Sequence, residues 1–112
     1  MNILRYNDAA ASAAHEGSIR AYEVIPESIM PAPFSSAWGY LAGPGRLASH
    51  AHPTDEIYMI FKGEGVVTVG EESQSVVPGD IVVIPHDAEH SIQNAGPGEL
   101  LWCAFWWPQI QP

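Results

Sequence analysis

Short runs of apolar residues alternate with turn residues along most of the chain. From residue 18 onward each run is four to eight residues long, and Gly- or Pro-containing segments separate many of them. Runs of this length that are rich in β-branched and aromatic residues are typical of strands. The pattern predicts nine strands, at residues 20–25, 37–42, 46–52, 56–61, 66–69, 73–77, 81–84, 90–94 and 100–107.

The close spacing of these predicted strands indicates an all-β fold. No helical periodicity follows residue 18, and strands at such short intervals are typical of an antiparallel sandwich or barrel. The segment before residue 18 is open to two interpretations. Either Asp8 caps a short Ala-rich turn over residues 9–14, or residues 1–17 form an unstructured N-terminal arm.

Length, charge and cysteine content restrict the number of domains, the classes of partner and the cellular compartment that we expect. The 112 residues suit a single domain, and 46% are hydrophobic, which is enough for one core. A formal net charge of −9 argues against a nucleic-acid or membrane-surface partner, because both surfaces are anionic. Residues 1–14 contain no apolar segment typical of a secretory signal, and one cysteine cannot form an internal disulfide, so we expect a cytoplasmic protein.

Three histidines and one glutamate suggest a metal site. His50 and His52 lie two residues apart, so on a strand both rings occupy the same face. A short turn after His52 allows Glu56, on the next strand, to reach the same point, and His90 follows a later hairpin. Three imidazoles and a carboxylate suit one divalent first-row metal ion. The alternative is that these are surface or core histidines that bind no metal.

The same residues resemble the two sequence motifs of the cupin superfamily. The first motif contains His-x-His, then a glutamate and, after six intervening residues, a glycine. His50, His52, Glu56 and Gly63 fit it, although Pro44 occupies the position of its leading glycine. The following residues fit the second motif at the required spacing: Gly79, Pro85, His90 and Asn94. Asp87 replaces that motif's internal glycine, and Asp tolerates the left-handed conformation that a tight turn requires.

The resemblance covers roughly residues 35–107 of one domain spanning residues 1–112. It implies an antiparallel jelly-roll barrel that holds iron, manganese, zinc, nickel or copper at His50, His52, Glu56 and His90. It also implies a homodimer, with residues 18–25 as the expected contact. We expect a metal-dependent enzyme acting on a small organic molecule, of the oxygenase, isomerase, lyase or polyketide-cyclase type. The alternative is a non-catalytic module that binds a metal or a small ligand.

Strand alternation extends the prediction to the substrate. If His50 and His52 face inward, strict alternation also turns Arg46 inward, where it could bind an anionic substrate. The alternative is that the strand bends at Gly45 and Arg46 faces solvent. Tyr58 follows Glu56 on the same face and is a candidate acid or base. Arg46 and Tyr58 are therefore the predicted catalytic residues. The tryptophans of residues 100–107 could stack on an aromatic substrate or simply fill the core.

Two further side chains of this region remain ambiguous in the sequence. His86 follows Pro85 and is either an exposed turn residue or a proton donor at the mouth of the barrel. Cys103 is expected to be a small core residue and not a nucleophile.

Overall fold

Ten strands and one short 3₁₀ helix make up residues 1–108, which the computed structural model describes. The helix spans Asp8–Ala10. The strands are β1 Ser12–Ala14, β2 Ile19–Tyr22, β3 Ser35–Leu41, β4 Arg46–His50, β5 Asp55–Lys62, β6 Gly65–Val69, β7 Glu72–Val76, β8 Ile81–Ile84, β9 His90–Asn94 and β10 Leu100–Trp107. The nine predicted strands are all present, and β1 is additional.

The strands form an antiparallel jelly-roll barrel from two facing sheets. The first sheet has six strands in the order β1-β2-β3-β10-β5-β8, and the second has four in the order β4-β9-β6-β7. Strands distant in sequence pair directly, as β10 does with both β3 and β5. Within residues 1–108, no helix is long and apolar enough to cross a membrane.

The core lies between the two sheets and follows the two-residue period of the strands. On β5, Glu56, Tyr58 and Ile60 are buried while Met59 and Phe61 are exposed. Burying one large apolar side chain stabilises the fold by about 1.5–3 kcal/mol. The buried cluster comprises Ile19, Leu41, Leu47, Tyr58, Ile60, Val67, Val76, Ile84, Ile92, Leu100, Trp102 and Ala104.

One irregularity on β4 overturns the prediction for Arg46. Leu47 and His50 both face the interior although they are three residues apart, because the register with β9 shifts between them. Such a β-bulge moves the following residues to the other face. Arg46, which precedes the shift, is therefore exposed on the outer face. The expectation of an inward arginine is wrong because strict alternation does not hold across the bulge.

The N-terminal segment is ordered and packs on the outside of the six-stranded sheet. Asn7, and not Asp8, caps the 3₁₀ helix, since its side chain accepts a hydrogen bond from the Ala9 amide. The ring of Tyr6 packs edge-on against Trp38 at 5.2 Å between centroids. β2 lies between β1 and β3, so its main chain is paired on both sides. The homodimer contact at residues 18–25 stays a prediction.

Candidate metal centre

Three separate segments bring the predicted ligands together at one end of the barrel. His50 ends β4, and its register partner across the sheet is His90, the first residue of β9. His52 lies in the loop that follows β4, and Glu56 lies near the start of β5 in the facing sheet. The rings of His50 and His90 are 4.2 Å apart between centroids, and those of His52 and His90 are 5.0 Å apart.

The Nδ1 atom of each imidazole is engaged by a neighbouring oxygen. His50 Nδ1 lies 3.0 Å from the Ala48 carbonyl oxygen, and His90 Nδ1 lies 2.9 Å from that of Ala88. A carbonyl only accepts, so in both rings Nδ1 carries the proton and Nε2 keeps its lone pair. Outer-shell hydrogen bonds of this kind orient metal-binding histidines in proteins.

For the third histidine, His52, the Thr54 hydroxyl takes the place that a backbone carbonyl has beside His50 and His90. Its hydroxyl lies 2.7 Å from Nδ1 of His52, and the Thr54 side chain is buried. In the Nδ1-protonated form of His52, the hydroxyl accepts and Nε2 is available to a metal. The sequence motif did not point to Thr54, although its position two residues after a candidate ligand is the signal that could have found it.

Inside the cluster, the Glu56 carboxylate meets two imidazole nitrogens, an arrangement that suits a bound cation. Glu56 Oε1 lies 3.0 Å from Nε2 of His52 and 3.1 Å from Nε2 of His90. The His90 nitrogen is nevertheless buried without a hydrogen bond of acceptable geometry. Nitrogen atoms of His50, His52 and His90 lie within 4.8 Å of one another. A buried carboxylate beside three convergent imidazoles is therefore a donor set suited to a divalent ion.

Burial and charge act differently on two of these imidazoles. Burial lowers the pKa of His50, which favours the neutral form that binds metal. Burial also lowers the pKa of His90, but the adjacent Glu56 carboxylate and the Ala88 carbonyl outweigh it, so the pKa of His90 is raised. The two pKa shifts therefore have opposite directions, downward at His50 and upward at His90.

A cavity of about 240 Å³ extends from the cluster between the two sheets. Tyr58 lies on its wall, as the sequence predicts, and burial raises the pKa of its phenol. Cys103 is half-buried on the outer face of β10, and burial raises the pKa of its thiol to about 11. No lysine or arginine lines the cavity among residues 1–108; its walls are His15, Ile19, Ala21, Ala37, Trp38, Gly39, Leu47, His50, His52, Thr54, Glu56, Tyr58, Trp102, Ala104 and Trp106.

A polar clamp joins the two segments that carry the ligands. Asp55 Oδ1 accepts hydrogen bonds from the backbone amide and the ring Nδ1 of His86, each at 3.0 Å. The amide of Asp87 donates to the His52 carbonyl at 2.8 Å. Asp87 adopts φ 64°, so this position is left-handed as predicted. His86 is exposed and paired with Asp55, and it does not line the cavity.

Comparison with known proteins places this architecture in a family. The family described as "Cupin domain" matches residues 38–106, so the chain belongs to it. A curated relative, an uncharacterized protein of Methanocaldococcus jannaschii, is 39% identical over 59 residues. The match covers 50% of this chain and 47% of that protein, so the chain spans about half the length of the curated relative it matches.

Solved structures share the fold over nearly the whole chain. The plu4264 protein from Photorhabdus luminescens and a Cupin 2 conserved barrel domain protein from Salinispora arenicola both superpose with TM-score 0.80, at 27% and 25% identity. Each alignment covers 96% of this chain and 88% of the other. The polyketide cyclase RemF from Streptomyces resistomycificus superposes with TM-score 0.77 at 14% identity, covering 99% of this chain and 83% of RemF, a similarity of fold alone.

Proposed function

We propose that the chain binds one divalent first-row metal ion and acts as a metal-dependent enzyme on a small organic molecule. The proposed ligands are His50, His52, Glu56 and His90. The observation that carries the proposal is the convergence of three imidazole nitrogens, within 4.8 Å of one another, beside the buried Glu56 carboxylate, whose Oε1 lies 3.1 Å from Nε2 of His90. Among residues 1–108 no lysine or arginine pairs with that carboxylate, and a bound divalent ion would neutralise it.

The metal would act as a Lewis acid or as a site for dioxygen, which are the chemistries open to such an ion. The protein supplies the surrounding walls. Trp102, Ala104 and Trp106 give the cavity an apolar face that suits a flat or aromatic substrate and excludes water. Tyr58 stays protonated because burial raises its pKa, so its proposed role is to donate a hydrogen bond or proton and not to act as a base.

The exposed position of Arg46 changes the expected substrate. Without an arginine on the cavity wall, an anionic group can be bound only through the metal and the neutral donors of the site. The oxygenase, isomerase, lyase and polyketide-cyclase reactions remain compatible with this arrangement: each can start from a substrate bound at a metal in an enclosed cavity, and the oxygenase additionally requires dioxygen and a redox-active metal. RemF, the polyketide cyclase with the same fold, makes a cyclisation one of the reactions to assay first.

Metal analysis of purified wild type and of His90→Ala tests the proposal. We expect about one metal ion per wild-type chain and a loss of at least about tenfold in affinity in the variant, since one ligand is removed. Glu89→Gln is the control, because Glu89 is adjacent to His90 but exposed and outside the cavity, and we expect it to retain metal. No bound metal in wild type, or equal binding by His90→Ala, would contradict the proposal.

Bound metal alone does not distinguish an enzyme from a binding module. The identity of the metal directs the next assay: iron with dioxygen consumption favours an oxygenase, and zinc or nickel favours isomerase, lyase or cyclase chemistry. Metal binding with no turnover of any assayed substrate would instead support the alternative, a non-catalytic module.

A further inference from the structure

The turn between β1 and β2 brings a fourth histidine to the metal pocket. His15 lines the same cavity as the cluster, and its ring lies 5.3 Å from that of His50 between centroids. The cupin motifs do not include this residue, and the family match begins only at residue 38. The N-terminal segment thus contributes a side chain to the site.

The backbone of this turn is held in an unusual conformation. His15, Glu16 and Gly17 adopt φ values of 48°, 60° and 84° in succession, all in the left-handed region. That region costs roughly 1–2 kcal/mol for a residue other than glycine. The His15 carbonyl accepts hydrogen bonds from the amide of Ser18 at 3.2 Å and from its hydroxyl at 2.8 Å, and these bonds fix the turn.

The imidazole of His15 is available to a ligand. In the part of the chain that the structure describes, the ring nitrogens of His15 make no hydrogen bond, whereas the proposed metal-binding rings each have an oxygen beside Nδ1. His15 is exposed at the edge of a cavity whose other walls are largely apolar. A neutral imidazole offers one donor and one acceptor.

We propose that His15 is a specificity-determining residue that hydrogen-bonds the substrate in the metal pocket. The inference rests on the proposed function and refines the class of substrate. The ligand has a flat apolar body that contacts Trp102 and Trp106, and oxygen atoms at the end that reaches the metal and His15. The hydrogen bonds to the His15 carbonyl hold the backbone of this turn at the edge of the cavity.

Two glycine variants of the same turn provide the test. Gly adopts left-handed φ without strain, so His15→Gly and Glu16→Gly should both fold. Glu16 is adjacent to His15 and equally left-handed, but it lies outside the cavity. The probes are Co²⁺, followed by its visible absorption, and 4-nitrocatechol, a flat ligand with two adjacent oxygens, added to the cobalt-loaded protein.

We expect His15→Gly to bind Co²⁺ within twofold of wild type and 4-nitrocatechol about three- to tenfold more weakly, as for one lost hydrogen bond. Glu16→Gly should match wild type in both. Equal binding of 4-nitrocatechol by the two variants would overturn the inference. Weaker Co²⁺ binding by His15→Gly would also overturn it, because His15 would then act by positioning His50.

The wild-type protein separates this inference from the proposal on which it rests. Wild type that binds Co²⁺ but not 4-nitrocatechol would contradict the inferred class of ligand and leave the metal site intact. Wild type that binds no Co²⁺ would overturn the proposed function, and the role of His15 with it.

Discussion

The two faces of the six-stranded sheet are both apolar but differ in how far their side chains are buried. On the inner face, Tyr58, Ile84 and Trp102 are at most 2% exposed, and Glu56 is also buried. On the outer face of the same strands, Phe61 is 60% exposed and Val83 is 70% exposed. Both faces are rich in apolar residues, so composition does not tell them apart. The buried carboxylate of Glu56, which lies 3.1 Å from Nε2 of His90 in the facing sheet, distinguishes the inner face.

Substitutions at two adjacent residues of β8 are expected to give the largest difference in stability between the two faces. Ile84→Lys places a charge in the core at a position that is 1% exposed, and we expect it to destabilise the fold by about 4 kcal/mol or more. Val83→Lys should change stability by no more than about 0.5 kcal/mol. Denaturant unfolding measures both free energies.

The outer-face variant also bears on the predicted homodimer. If Val83→Lys cost more than about 1 kcal/mol and lowered the mass in sedimentation, the outer face would be buried against a second copy. An unchanged mass would leave residues 18–25 as the expected contact.

Close packing of the inner face predicts a smaller but clear effect at Gly39. Gly39 is the register partner of Trp102, and a Cβ atom there would overlap the buried indole. We expect Gly39→Ala to destabilise the fold by about 1–3 kcal/mol, as overpacking does. Gly98→Ala is the control, since nothing lies within 4 Å of its added Cβ and its φ is not left-handed. Similar melting temperatures for the two variants would contradict this packing.

The polar clamp between Asp55 and His86 predicts a small contribution to stability that depends on pH. The hydrogen bonds from His86 hold the pKa of Asp55 below its usual 3.8, and those to Asp55 hold the pKa of His86 above 6.5. The Asp55 contribution is lost as pH falls below 3.8 through its folded pKa. The His86 contribution is full below 6.5 and is lost as pH rises through its folded pKa.

The two windows overlap at mildly acidic pH. We therefore expect Asp55→Asn to lower the melting temperature most between pH 3.8 and 6.5, and less at higher pH and in high salt. Glu89→Gln is the control, because Glu89 is exposed and has no ion-pair partner in the described part of the chain. A difference that is constant with pH would mean that the Asp55 side chain acts by geometry alone.

The smallest expected effect belongs to Arg46. Because the bulge turns its side chain outward, Arg46→Ala should leave Co²⁺ and 4-nitrocatechol binding within twofold of wild type. Leu47→Ala, one residue further on the inner face, should cost about 2–5 kcal/mol of stability. Weaker 4-nitrocatechol binding by Arg46→Ala would restore the arginine as a substrate contact.

Much of the site could be read from local spacing. His50, His52 and Glu56 lie within seven residues, so the short loop between two strands limits how far apart their side chains can be. His90 could be added only through its resemblance to the second motif, because nothing local joins residues 50 and 90. The sequence did not predict the roles of Thr54, of the Asp55–His86 pair or of His15, because each role depends on contacts that only the folded chain makes.

The amino-acid sequence by itself determined the strands, the antiparallel barrel and the candidate ligands, because alternation and turn residues are local properties of the chain and because its two motifs resemble those of a known family. Only the tertiary structure decided which way Arg46 points and what completes the pocket. A single bulge on β4 reverses the alternation that the sequence suggests, and pairing of β1 with β2 fixes the turn that carries His15. Both depend on contacts between neighbouring strands, and a bulge changes the facing of every residue after it.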